Sequence, residues 1–161
     1  MVLSQSGATP EIIEACGRMR AGGARTVAIT NEPASPLAAS AEVVLGLGAG
    51  RERAVPATKT VTAELLTVTA VAAALGPLPF ARSDLDVLPG VVRQTVEDDA
   101  PARRLAAPWA GSALPFPAGL GDQLSAFPAL VRGRQLALAS AKVRGADPDT
   151  PRGLTKVTPT H

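Results

Sequence analysis

The 161 residues carry a net charge of +2, with 46% apolar and only 2% aromatic side chains. That length holds one ordinary domain, or one domain and part of a second, and the composition is that of a globular chain. Scattered arginines without interleaved aromatics exclude nucleic acid as an expected partner, and a single cysteine, Cys16, excludes an internal disulfide framework.

Val2 and Leu3 read as the end of a buried strand, and Ser4-Gln5-Ser6-Gly7-Ala8 as the loop that leaves it. Thr9 suits an N-cap, Pro10 the first helical position and Glu11 the positive end of the helix. Ile12, Ile13, Cys16 and Met19 then recur at helical spacing up to Gly22-Gly23, which makes Cys16 an inert core thiol. Residues 26–30 are a short β-branched strand, Ser35-Pro36 repeats the cap-then-proline signal, and residues 43–47 form the next strand. A long helix is predicted over 58–75, ended by Gly76-Pro77; Glu64 interrupts its apolar run, which is too short to span a bilayer. Strands alternating with helices at this spacing argue for an α/β fold on a parallel sheet.

Beyond Gly76 the strand signals fade and prolines accumulate. A helix starting near Pro89 within 85–96, a helical turn or two over 102–107, a linker over 108–121 and helices over 123–131 and 135–143 are predicted. The tail Asp147-Pro148-Asp149-Thr150-Pro151 should be extended, because each proline biases its predecessor away from the helix. With no basic leader and a single thiol suited to a reducing compartment, the expected location is cytoplasmic.

The loop at residues 4–9 carries the chemistry. Hydroxyls of Ser4, Ser6 and Thr9 and the Gln5 amide lie between a strand and a helix N-terminus, where unpartnered amides and the helix dipole favour an anion. Gly7 permits a tight turn, and no carboxylate intrudes before Glu11. By spacing alone, a plain helix cap with a serine-satisfied turn is an equally good reading.

Further landmarks follow in order: Ala28-Ile29-Thr30-Asn31, Ser35-Pro36-Leu37-Ala38, Ala49-Gly50-Arg51-Glu52 and Val55-Pro56-Ala57-Thr58-Lys59-Thr60. Together with the 2–9 segment they resemble the sugar-isomerase (SIS) domain family. They are similar to the isomerase part of glucosamine-6-phosphate synthase and to stand-alone amino-sugar-phosphate isomerases and deaminases. The resemblance resumes at 144–149 and 151–158. It implies a partial three-layer αβα sandwich with a short parallel sheet, flavodoxin-like, followed by a mainly helical C-terminal segment. In that scheme 1–76 is a partial SIS domain whose first strand and loop are missing, and 77–121 is a helical linker region. Residues 122–161 resemble the end of a second SIS domain without its body.

The resemblance also implies roles by position. Ser4, Gln5, Ser6 and Thr9 would hold the phosphate and sugar hydroxyls, and Val55 would contact the sugar through its backbone. Thr58 and Lys59 would cap and orient the long helix. Lys156 would lie over the open-chain sugar, where an amine can form a Schiff base with the carbonyl. Ala57 stands where a serine is common. The ligand implied is a hexose or hexosamine 6-phosphate bound without cofactor or metal, and the assembly a homo-oligomer. The carboxylate base and histidine segments of the family have no counterpart between 78 and 141, and His161 is the only histidine. The expectation is therefore a truncated sugar-phosphate-binding protein of carbohydrate derivative metabolism, with little isomerase activity of its own. The alternative is an active aldose–ketose isomerase, or a glucosamine-6-phosphate deaminase or aminotransferase-like enzyme, completed by a partner chain.

Overall fold

A computed structural model describes residues 1–53, 57–106, 115, 120–122 and 124–150. These residues divide into two compact units, the first covering Met1–Ala74 and the second starting at Leu75.

The first unit is α/β with a short parallel sheet, as expected. Its elements are β1 (Val2–Leu3), α1 (Pro10–Ala21), β2 (Val27–Thr30), α2 (Pro36–Ser40), β3 (Val43–Gly46) and α3 (Lys59–Leu75). The sheet runs β1-β2-β3 with both pairings parallel, Val2 opposite Ala28 and Ala28 opposite Val44. Side chains alternate along a strand, so this register puts Val2, Ala28 and Val44 on one face. Val44 stays 37% exposed, and the α1 and α2 helices cover the β1 and β2 part of that face. Cys16, Ala28, Leu37 and Ala41 form its core, with Val2, Ile12 and Ile13 packed alongside, and the Cys16 thiol is wholly buried. Small side chains bring helix and sheet close.

On the other face Ile29 is wholly buried, while Leu3 and Val43 stay 36% and 43% exposed. The expectation that Leu3 ends a buried strand is therefore corrected. β1 is an edge of the described sheet, so its side chains have strand neighbours on one side only.

The second unit is helical: α4 (Arg82–Glu97), α5 (Ala100–Ala106) and α6 (Ala126–Val143), with α4 and α5 both packed on α6. Three predictions change here. α4 starts at Arg82 and carries Pro89 within it. The Asp84 carboxylate accepts the Ala81 N–H at 2.9 Å, giving the helix an earlier start than proline alone would suggest. The two predicted C-terminal helices are one, continuous through Gly133. Lastly, the Asp147 carboxylate accepts the Asp149 N–H at 3.0 Å and the Thr150 hydroxyl at 2.6 Å, so the tail bends where an extended chain was expected.

Arg132 explains the continuity of α6. Its side chain is 4% exposed and its guanidinium reaches the far end of α4. It donates to the carbonyls of Thr95, at 3.5 Å, and Asp98, to the Asp98 carboxylate at 3.1 Å, and to the Pro115 carbonyl at 2.7 Å. Gln135, one turn along, donates to the Thr95 and Val96 carbonyls at 2.8 and 3.2 Å. The orphan carbonyls that end α4 are thus satisfied by side chains of α6.

Candidate functional site

Parallel strands deliver their carboxyl ends to one edge of a sheet, and three loops meet there: 4–9 after β1, 31–35 after β2 and 47–58 after β3. Ligands of open parallel sheets bind at this edge.

The 4–9 loop is pinned by its own backbone. Ser4 N–H donates to the Ile29 carbonyl at 3.0 Å, Asn31 N–H to the Gln5 carbonyl at 3.1 Å, and Leu37 N–H to the Gly7 carbonyl at 3.0 Å. The Thr30 hydroxyl adds a second bond to the Gln5 carbonyl at 3.3 Å. Gly7 is buried in the left-handed region with φ +59°, and a β-carbon there would stand 2.0 Å from Ser35 Oγ. Only glycine fits both the turn and the contact.

Within the loop Ser4 Oγ accepts the Gly7 N–H at 3.2 Å and Ser6 Oγ the Ala8 N–H at 3.3 Å. The serines do satisfy the turn, yet a hydroxyl that accepts an N–H still has its own proton to donate. Thr9 occupies the N-cap position of α1 in extended conformation, but its hydroxyl makes no capping bond. The plain-cap reading therefore fits the serines and not Thr9. By contrast, the Ser35 hydroxyl caps α2, accepting the Ala38 N–H at 3.3 Å.

The 47–58 loop is tied at both ends. The Glu52 carboxylate accepts the N–H and hydroxyl of Thr58 at 3.0 and 3.1 Å, and those of Thr60 at 3.3 and 3.0 Å. Burial pushes this carboxyl up, but the four bonds outweigh it and hold it below its ordinary range. Lys59 Nζ donates to the Arg51 carbonyl at 2.8 Å. Thr58 and Lys59 thus orient the start of α3 as expected, but the capping acceptor is Glu52. Asn31 joins this loop to β2, its Nδ2 donating to the Gly50 carbonyl at 2.8 Å and its Oδ1 accepting the Ala49 N–H at 3.0 Å. Asn31, Glu32, Pro33, Gly48, Gly50 and Arg51 line an open cleft of about 700 Å³.

Of the predicted site residues, Ser4, Gln5, Ser6 and Thr9 lie together in the 4–9 loop, half-buried. Val55 and Lys156 lie outside the described residues. The roles of Asn31 and Glu52 were not foreseen, although both stand within motifs already noted. Among the described residues no group of three or more His, Cys, Asp or Glu side chains is placed to hold a metal ion. None of the described helices is long and apolar enough to cross a membrane.

The family model that matches this chain is the SIS domain, over residues 1–74. The first unit is an SIS-type segment. Relatives share it. A glutamine–fructose-6-phosphate aminotransferase [isomerizing] of Pyrobaculum aerophilum is 39% identical over 105 residues, 62% of this chain and 17% of the relative. The proteins of the same name from Aeropyrum pernix and Bradyrhizobium diazoefficiens are 43% and 38% identical. Those matches cover 46% and 52% of this chain but 12% and 14% of the relatives. The chain thus matches less than a fifth of the length of these proteins. What is shared is a sugar-isomerase-related segment, and the SIS match ends at residue 74, where the described part of the first unit also ends.

Proposed function

We propose that the SIS-type unit binds a hexose or hexosamine 6-phosphate, with Ser4, Gln5, Ser6 and Thr9 as the phosphate cradle. The observation that carries this reading is the uncommitted Thr9 hydroxyl at the α1 N-terminus, beside two serine hydroxyls that accept backbone N–H groups and keep their protons. The ligand class follows from the relatives, whose name specifies fructose 6-phosphate. In this reading Val55 adds a backbone contact to the sugar and Lys156 lies over its open chain. Residues 1–76 act as a partial SIS domain, 77–121 as a helical linker, and 122–161 as the end of a second SIS domain. The location is the cytoplasm, the partner is not nucleic acid, and the assembly is a homo-oligomer.

Calorimetric titration with glucosamine 6-phosphate and fructose 6-phosphate tests the cradle. Binding should be lost in Ser6→Ala/Thr9→Ala, each lost hydrogen bond to a charged group costing roughly 1.5–3 kcal/mol. Equal affinity for the unphosphorylated sugars would overturn it. The relatives' isomerizing activity favours a second reading, an enzyme completed by a partner chain. Deuterium exchange at C1 and C2 of fructose 6-phosphate, abolished by Lys156→Ala, would support that reading; no exchange would speak against it.

A further inference from the structure

Among the described residues, Asn31 is the one side chain that brackets a neighbouring loop with both halves of its amide while its own backbone holds the 4–9 loop. An asparagine amide carries the same donor and acceptor as a peptide group, so it can pair with a loop as a strand residue would. Here Nδ2 takes the Gly50 carbonyl at 2.8 Å and Oδ1 the Ala49 N–H at 3.0 Å. The Asn31 N–H takes the Gln5 carbonyl at 3.1 Å, one residue before Ser6. From Arg51, next to Gly50, the ties continue to α3 through Lys59 and Glu52. A shift of the 4–9 loop therefore moves Gln5, then Asn31, then the wall of the cleft at 48–51.

We propose that Asn31 is a positioning residue that couples the phosphate cradle to the 47–52 loop, so that a bound anion orders the cleft wall. The inference rests on the cradle reading above. It adds to the site a second loop, the one whose Gly48, Gly50 and Arg51 line the cleft. Two arrangements compete: a rigid wall held by Asn31 but indifferent to the cradle, and a wall that responds to it. The chain of three bonds through a single residue favours the second, since no other side chain bond among the described residues joins the 31–35 loop to the 47–58 loop.

The test is amide hydrogen exchange by NMR on the full chain, with inorganic phosphate and glucosamine 6-phosphate as probes. In the free wild type, Ala49 should be protected, and Asn31→Ala should raise its exchange about tenfold, the loss of one ordinary hydrogen bond. Asn31→Asp keeps the acceptor and should preserve that protection. The Ser4 and Leu37 amides, bonded to Ile29 and Gly7, report that the variants remain folded. Phosphate should further protect Gly7 and Ala8 in the wild type and, through Asn31, Ala49; in Asn31→Ala it should protect only the first two. Protection of Gly7 and Ala8 without Ala49 in the wild type overturns the coupling, and this arm decides even if Asn31→Ala does not fold. No phosphate effect at Gly7 or Ala8 overturns the cradle reading and the coupling built on it. Unchanged Ala49 exchange in folded Asn31→Ala would separately overturn the tie itself.

Discussion

Replacing Glu52 by glutamine removes a charge from the start of α3 while keeping nearly the same shape. The carboxylate accepts four hydrogen bonds there, two from Thr58 and two from Thr60, and the Thr60 side chain is wholly buried. Glutamine keeps one acceptor oxygen and turns a donor toward at least one of these groups. Loss of one hydrogen bond to a charged acceptor costs about 1.5–3 kcal/mol, and loss of the anion at the helix N-terminus about 0.3–1 kcal/mol. Glu52 retains some solvent access and the threonine hydroxyls can rotate, so the lower end applies, about 1.5–2 kcal/mol near pH 7.

The pH dependence gives the sharper test. Burial raises the Glu52 carboxyl and the Thr58 and Thr60 bonds lower it further, leaving it below its ordinary value of 4.5. A folded-state value below the unfolded one means stability that is present above about pH 4.5 and is lost as pH falls through the folded value. Burial raises the Glu64 carboxyl, so it acts in the opposite sense, but it is common to both proteins and cancels in their difference. Urea dependence of native-state hydrogen exchange at the Ser4 and Leu37 amides, which do not bond to Glu52, at pH values from 7 to 3, reads the first unit alone. The gap between wild type and Glu52→Gln should narrow below pH 4.5. A gap that stays constant across that range, or no gap at pH 7, would refute the reasoning.

Three other expectations follow from the same geometry. Gly7→Ala combines a left-handed backbone with a β-carbon 2.0 Å from Ser35 Oγ, and should cost roughly 2–5 kcal/mol in urea unfolding and abolish phosphate binding; a cost below about 0.5 kcal/mol would contradict the packing described. Arg132→Met leaves the Asp98 carbonyl and carboxylate without their α6 partner and should lower the stability of the second unit by about 2–4 kcal/mol, read from exchange at α6 amides such as Ala129. Wild-type exchange there would show that Gln135 alone suffices. With Leu3, Val43 and Val44 exposed on a sheet whose β1 is an edge, size exclusion with light scattering should show a dimer or larger species, and a dilution-resistant monomer would argue against the homo-oligomer.

Local signals in the sequence were sufficient to place most of the first unit. Thr9-Pro10 and Ser35-Pro36 announce α1 and α2 because a proline ring pre-sets the first helical φ and needs no hydrogen bond there. The β-branched run before Asn31 announces β2, the helical spacing of Ile12, Ile13 and Cys16 announces the buried face of α1, and the 4–9 loop stands out by its hydroxyls. All of this chemistry lies within a few residues of chain. What sequence could not decide depended on partners far along it. Pro89 looked like a helix start because its cost is local, whereas the Asp84 cap and the contacts of α4 with α6 that offset it are not. The break expected between 131 and 135 vanished because Arg132 and Gln135 find the carbonyl end of α4, more than thirty residues away. Asn31 and Glu52 read as ordinary loop residues until the parallel register brought the 4–9, 31–35 and 47–58 loops to one edge of the sheet. Hydrogen bonds reach about 3 Å, so which loop a side chain holds is decided only when the sheet has set the distance between them.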